Sequence, residues 1–184
     1  ENIVDICFGT RSLMRDELVK WGVDPVRVMV EADAVDLRRF KVSRGQEIAK
    51  QDWKLPADIP VIGYVGSLVA KNVLEKGVRE LIEAFVLLKE KNAKCLGWIV
   101  GGPLEWREKY EDLARARGLT EHEIRFTDHI PSIGVPSALD ACDICVYPAP
   151  ASSTDIFFQR DTSPLKLFEY LAAGIPVVCA ELPP

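Results

Sequence analysis

The 184-residue chain carries 23 basic and 28 acidic side chains, a formal net charge of −5, and is 48% hydrophobic and 28% charged. That balance describes an ordinary soluble protein with enough apolar mass for one core, and its dispersed lysines and arginines argue against a nucleic-acid partner. No apolar run approaches the ~20 residues that span a bilayer, so no transmembrane segment is expected.

The start, Glu1-Asn2-Ile3-Val4-Asp5, lacks the basic and then apolar stretches of a leader and reads as a cut through a longer polypeptide. Ile3 to Phe8 resembles a strand, Ser12 to Trp21 a helix and Val26 to Val30 a second strand. The polar stretch Lys41 to Pro60 shows no apolar period, so residues 1–59 are read as a crossover segment and linker. From residue 60 onward short apolar runs alternate with amphipathic stretches, and 60–184 is read as one domain, truncated at its C-terminal end.

The strand-like runs are Val61 to Val65, Leu96 to Val100, Ile124 to Thr127, Ile144 to Tyr147 and Pro176 to Cys179, each bounded by Gly, Pro or Asp. Helical spacing recurs between them in Val78, Leu81, Ile82, Phe85 and Leu88, and again in Trp106, Tyr110, Leu113 and Ala114. Ile133 to Ala141 and Pro164 to Ala173 supply two shorter helices. Alternation of this kind predicts an α/β fold, a Rossmann-like doubly wound parallel sheet with right-handed crossovers.

Ligands of such sheets bind outside the carboxyl ends of the strands. The residues to inspect are Gly66-Ser67, Gly101-Gly102-Pro103, Asp128-His129-Ile130 and the long segment Pro148 to Thr162. Gly66 and Gly102 would let a ligand approach the backbone, although glycine also simply ends strands. Ser163 is a good N-cap and Pro164 a good first helical residue, so a helix with free amides, a site for phosphate, begins beside the strand ends. Glu169 falls on or near the apolar side of that helix, between Leu165 and Ala173. It is either paired with a neighbour such as Lys166, at a wet edge, or held for a ligand. Asp161, Ser163, Lys166 and Glu169 together suit a polar ligand with hydroxyls and phosphate.

Cys142-Asp143-Ile144-Cys145 has redox spacing, but its second cysteine lies in a strand-like run and no second pair completes a zinc site, so core packing is expected. The cysteines number five and most sit in apolar segments, which fits buried reduced thiols and a cytoplasmic location. His122 and His129 have no convincing metal partner, and Gly63-Tyr64-Val65-Gly66 fails the dinucleotide and P-loop patterns.

Several segments resemble, in order, the donor domain of the glycosyl transferases group 1 family, retaining enzymes of GT-B fold. They are Gly63-Tyr64-Val65-Gly66-Ser67-Leu68, Glu75-Lys76-Gly77, Trp98-Ile99-Val100-Gly101-Gly102-Pro103 and Ala141 to Pro148. The most specific is Thr162-Ser163-Pro164-Leu165-Lys166-Leu167-Phe168-Glu169-Tyr170-Leu171-Ala172-Ala173-Gly174-Ile175-Pro176-Val177-Val178, and Asp33-Ala34-Val35-Asp36 resembles the segment joining two domains.

The resemblance implies a glycosyltransferase, of hexosyltransferase type, that takes a nucleotide-diphospho-sugar and needs no obligatory metal. Glu169 would accept hydrogen bonds from the ribose hydroxyls, and Asp161, shorter than the family's usual Glu, would contact the transferred sugar. Lys76 and the amides of Leu165 and Lys166 would hold the diphosphate, and the backbone near His129 and Ile130 the base. The family often has a basic residue where Ser67 stands; Lys71 is the substitute this reading offers. The acceptor, a sugar or lipid-linked glycan, would bind a missing N-terminal domain, leaving the isolated fragment inactive. The alternative is a non-catalytic sugar-nucleotide-binding or scaffolding module of the same fold; a receiver-type domain is opposed by the lack of an acidic cluster after the first strand.

Overall fold

A computed structural model describes residues 6–10, 12–31, 33–40, 44–71, 74–148 and 165–180. In chain order it contains β1 (Cys7–Gly9), α1 (Ser12–Lys20), β2 (Val28–Val30), α2 (Leu37–Phe40), α3 (Gln46–Asp52) and β3 (Val61–Val65). A hairpin of β4 (Val69–Ala70) and β5 (Leu74–Glu75) leads to α4 (Val78–Glu90), β6 (Leu96–Val100), α5 (Leu104–Ala116) and β7 (Ile124–Thr127). The remainder is α6 (Val135–Asp140), β8 (Ile144–Tyr147), α7 (Leu165–Ala172) and β9 (Val177–Cys179).

The main sheet has five strands in the order β7-β6-β3-β8-β9, every neighbouring pair parallel. β3 lies centrally, and the order reverses beside it, which opens a crevice at the carboxyl ends of β3 and its neighbours. Each expected core strand and helix is found, with ends moved by a residue or two as fraying allows. Two apolar layers flank the sheet. One gathers Val61, Val65, Trp98, Leu139 and Tyr170; the other gathers Tyr64, Ile82, Phe85, Ile99 and Tyr110.

The stretch read as a linker contains a helix over residues 46–52. They form α3, whose buried residues are Ala49 and Lys50. Lys50 donates to Asp143 Oδ2 at 2.9 Å and to the Ile59 carbonyl at 3.3 Å, and the same carboxylate oxygen accepts from the Val61 amide at 2.7 Å. Burial acts to raise the Asp143 carboxyl, but the bonds from Lys50 and the Val61 amide outweigh it and hold the group below the ordinary carboxylate value. A buried lysine carries this helix onto the domain, and hydrophobic periodicity has no signal for that.

Cys142 and Cys145 are buried in the core, as expected, while Cys7 and Cys95 are partly exposed and Cys179 is exposed. A Cβ on Gly63 would lie 2.2 Å from Cys142 Sγ, so the thiol fills the space that glycine leaves on the central strand. N-terminally, β1 and β2 pair in parallel as a separate two-stranded sheet, and Val26 and Arg27, expected at the start of the second strand, belong to a 3-10 turn, Pro25–Arg27, capped by Asp24.

At the carboxyl end of β3 the pairing with β8 extends over Ile62 and Gly63, and Val65 lies beyond it. Its N–H and C=O are both taken by one hydroxyl. Tyr170 on α7 accepts from the Val65 amide at 3.0 Å and donates to the Val65 carbonyl at 2.9 Å, with its ring wholly buried. Tyr170→Phe strands both backbone groups away from water, and a loss of about 2 to 4 kcal/mol is expected from the penalty for unsatisfied buried groups. Urea denaturation of the variant checks it; a midpoint equal to the native one would contradict the role given to this hydroxyl.

Candidate functional site

The loops after β3 and β6 are joined edge to edge. The Gly66 amide donates to the Val100 carbonyl at 2.8 Å and the Leu68 amide to the Gly102 carbonyl at 3.0 Å, so the ladder continues past the last strand residues. Gly101 lies where they touch: a Cβ there would stand 2.0 Å from the Gly66 carbonyl oxygen, so only glycine fits. Beside them, the chain leaving β7 turns as Asp128 Oδ1 accepts from the His129 amide at 2.6 Å.

These loops line a cavity of about 490 Å³ at the carboxyl edge of the sheet. Gly66, Ser67, Gly101, Gly102, Pro103, His129 and Ile130 form its walls, closed by Val65, Val100 and Val135, with Glu169 reaching in from α7. A second concavity of about 390 Å³ lies between α5 and β7, lined by residues such as Glu111, Arg115, Thr120 and Arg125. It sits away from the carboxyl ends of the strands, and no glycine turns converge on it as they do on the first.

Glu169 is partly buried. Burial raises its carboxyl above the ordinary range, against the charges of Arg39 and Lys166, which favour the ionised form. Arg39 comes from α2, where Asp36 caps the helix by accepting from the Arg38 amide at 3.0 Å, and the Arg39 guanidinium donates to the Ser132 carbonyl at 2.9 Å. Its presence beside Glu169 was not legible in the sequence, since 130 residues separate the two; it follows only once α2 is seen packed on α7.

Lys166 lies one turn before Glu169 on α7. Its ammonium donates to the Tyr64 hydroxyl and, at 3.3 Å, to the Ser67 carbonyl, and stands 4.0 Å from the centre of the Tyr64 ring. Burial, followed by the charge of Lys76, drives it well below the ordinary lysine value, with Glu169 opposing. Lys76 follows β5, its amide bonded to the Leu68 carbonyl at 3.2 Å, and is itself lowered by burial.

Six of the residues selected from sequence therefore line one cavity: Gly66, Ser67, Gly102, His129, Ile130 and Glu169. Lys166 passes behind Gly66, Lys76 is not part of the lining, and Leu165 opens α7 with its side chain exposed. Lys71 is exposed in the turn after β4 and is not part of the lining. Asp161, Ser163 and Pro164 lie outside the described residues.

A model of the family described as glycosyl transferases group 1 matches residues 59–183. This chain belongs to that family. It is similar to D-inositol 3-phosphate glycosyltransferase of Salinispora tropica, 27% identical over 181 residues, covering 94% of this chain and 36% of that enzyme. The chain thus spans about a third of that relative's length.

Among solved structures it resembles WaaG, a glycosyltransferase involved in lipopolysaccharide biosynthesis, with TM-score 0.74 at 22% identity, covering 96% of this chain and 44% of WaaG. It also resembles the C-terminal domain of a group 1 protein, LpcC, from Francisella tularensis, with TM-score 0.56 at 25% identity over 79% of this chain and 70% of that one. Anabaena HepE, solved in complex with UDP and glucose, matches with TM-score 0.68 at 17% identity, over 98% of this chain and 45% of HepE. In fold the chain matches the C-terminal, Rossmann-like half of group 1 proteins of GT-B architecture. Among the described residues no helix is long and apolar enough to cross a membrane.

Glu169 gives this site a stability signature. Its folded carboxyl holds a proton more readily than the unfolded one, so the ionised form present at neutral pH opposes folding. Glu169→Gln should raise the thermal midpoint at about pH 7, and the gain should shrink toward about pH 3, where both states are protonated. Thermal melts across that range check the sign; a lower midpoint at neutral pH would contradict it.

Proposed function

We propose that this chain is the donor half of a retaining glycosyltransferase, binding a nucleotide-diphospho-sugar at the carboxyl edge of its five-stranded sheet. The observation that carries this reading is Glu169: a partly buried carboxylate aimed into a cavity walled by glycine loops, its ionised form disfavoured by burial and favoured by the charges of Arg39 and Lys166. A carboxylate accepting from a ribose diol explains why a group that opposes folding stands there. Backbone groups of His129 and Ile130 would hold the base, and Gly66 and Gly102 would let the phosphates lie against the main chain.

Transfer breaks the bond between the anomeric carbon and the diphosphate, and negative charge grows on the leaving oxygen. Lys76 and the amides at the head of α7, Leu165 and Lys166, oppose that charge, so the reaction requires no obligatory metal. Asp161 would meet the transferred sugar, and Ser163 and Pro164 would start the helix that receives the phosphate. The acceptor, a sugar or lipid-linked glycan, would be held by a domain outside this chain, and turnover would need both. Because HepE was solved with UDP and glucose, a uridine donor is the first to test.

Ser67 and Asp161, which depart from the family's basic and Glu residues, favour one other reading, a sugar-nucleotide-binding module without activity. A full-length protein inactive on every donor, yet binding nucleotide, would select it.

Calorimetric titration with UDP, GDP, ADP and their sugars should show saturable binding of one nucleotide, and Glu169→Ala should weaken it by about 1 to 3 kcal/mol, the loss of a ribose partner. Affinity should also fall on acidification at a higher pH than an ordinary carboxylate would give, following the raised Glu169 carboxyl. Absence of binding by both this chain and the full-length protein would refute the proposal.

A further inference from the structure

One wall of the cavity, carrying His129, Ile130 and Val135, is the chain between Thr127 at the end of β7 and Ser137 in the first turn of α6. It has little to hold it from within. Pro131 leads into a 3-10 turn, Ser132–Gly134, and Gly134 leads into α6, and neither position supplies a side-chain cap. Its internal bonds are short-range, from the His129 amide to Asp128 Oδ1 at 2.6 Å and from the Gly134 amide to the Pro131 carbonyl at 2.8 Å. Such a segment opens easily unless something outside it fixes its place.

Two indoles do so, one at each end. The Trp98 N–H donates to the Thr127 hydroxyl at 2.8 Å, and the Trp53 N–H donates to the Ser137 hydroxyl at 3.2 Å. The two rings lie against one another, centroids 5.3 Å apart and planes tilted by 54°, within the range that aromatic pairs favour. Trp98 is buried on β6, so it is the fixed member of the pair. Trp53 follows α3 and reaches the middle of the loop. A Cβ on Gly134 would meet Ile130 Cδ1 at 3.8 Å and Trp53 Cζ2 at 4.0 Å, so the wall residue and the indole both border that glycine. Ile130, Val135 and Trp53 also pack on the same core cluster, which contains Trp98.

Apolar area alone does not account for this arrangement, since phenylalanine would provide it at both positions. An indole N–H withdrawn from water needs an acceptor, and here both acceptors are side-chain hydroxyls at the two boundaries of one loop. Two further bonds join the same stretches of chain nearer the surface: Arg125 donates to the Lys54 carbonyl at 2.8 Å, and Arg39 to the Ser132 carbonyl at 2.9 Å.

We propose that Trp53 and Trp98 are positioning residues, a clasp of two touching indoles whose N–H groups grip both ends of the loop 128–136 and hold His129 and Ile130 at the cavity wall. Neither indole lines the cavity, so the clasp acts through the loop. The inference rests on the donor-site reading only for the ligand that reports on it. A ligand whose base lies on this wall feels the clasp through the base, and its phosphates, on the glycine turns, do not.

The experiment uses the full-length protein. Trp53→Phe keeps a ring against Trp98 and removes the N–H; Ser137→Ala removes the acceptor. Without ligand, backbone amides between residues 129 and 134 should exchange with deuterium about 3- to 10-fold faster in either variant, while those of β3 and β6 keep native rates. Calorimetric titration with UDP, GDP, ADP and the parent nucleosides reads the consequence. A nucleoside and its diphosphate should weaken by the same factor, about 3- to 10-fold, so that the ratio between them stays native. A general loss of stability would leave the affinity of the folded protein as it was. The double variant should lose no more than the larger single one, because both changes break one bond. Thr127→Val, which preserves shape at the other end, should repeat the pattern without disturbing the buried Trp98 ring. Native exchange rates, native affinities, a loss confined to the diphosphate, or losses that add in the double variant would each overturn the clasp. Should the unaltered protein bind no nucleotide, the donor-site reading falls, and the exchange rates alone uphold or overturn the clasp.

Discussion

One hydroxyl holds the functional edge of this domain together. Where the pairing of β3 with β8 ends, the Val65 amide and carbonyl have no strand to bond, and a helix must supply what the ladder no longer can. Tyr170 does so from α7, with a buried ring that leaves water no entry. Since the hydroxyl is both donor and acceptor, one side chain satisfies two backbone groups, which neither a phenylalanine nor a lysine could. The consequence extends along the helix. With Tyr170 fixed, Glu169 beside it is turned toward the cavity and Lys166, one turn earlier, is turned toward Gly66.

The loops opposite α7 are fixed with equal economy of space. Gly101 against the Gly66 carbonyl leaves no room for a methyl group, and the bonds from Gly66 to Val100 and Leu68 to Gly102 make two turns into one unit. A cavity bounded by such a unit and by a pinned helix is largely formed before a ligand arrives, which lowers the ordering required on binding.

Most of the fold could be read from the chain because it rests on signals that repeat. Five β-branched runs bounded by Gly, Pro or Asp became five strands, and the loops following three of them became the cavity wall. The unread parts have particular physical causes. In α3 the buried face is Ala49 and a lysine, neither of which contributes to an apolar period. The β4-β5 hairpin has two residues per strand, too few for alternation to register. Glu169 was conspicuous as a carboxylate on an apolar helix face, but Arg39 was invisible because its relation to Glu169 is tertiary. Tyr64 and Tyr170 read as core, and they are core; that their hydroxyls also do positional work becomes apparent only from the distances.

The electrostatics of the edge lead to a last step. Glu169 is raised by burial, while Lys76 and Lys166 are lowered by it, so all three are less comfortable ionised here than in water. Had these groups served the fold, they would be expected to neutralise one another as Lys50 and Asp143 do at 2.9 Å on the other edge of the sheet. There an ion pair fastens a helix, and the aspartate is held below its usual value. At the carboxyl edge the Lys166 ammonium is instead anchored by neutral oxygens and a ring, which fixes its position without an ion pair. Charge that is positioned but not cancelled is what a binding site requires, because its free energy is released only when the ligand brings the opposite sign. The same residue types at the two edges therefore have opposite meanings, and it is the partner set, not burial, that separates them.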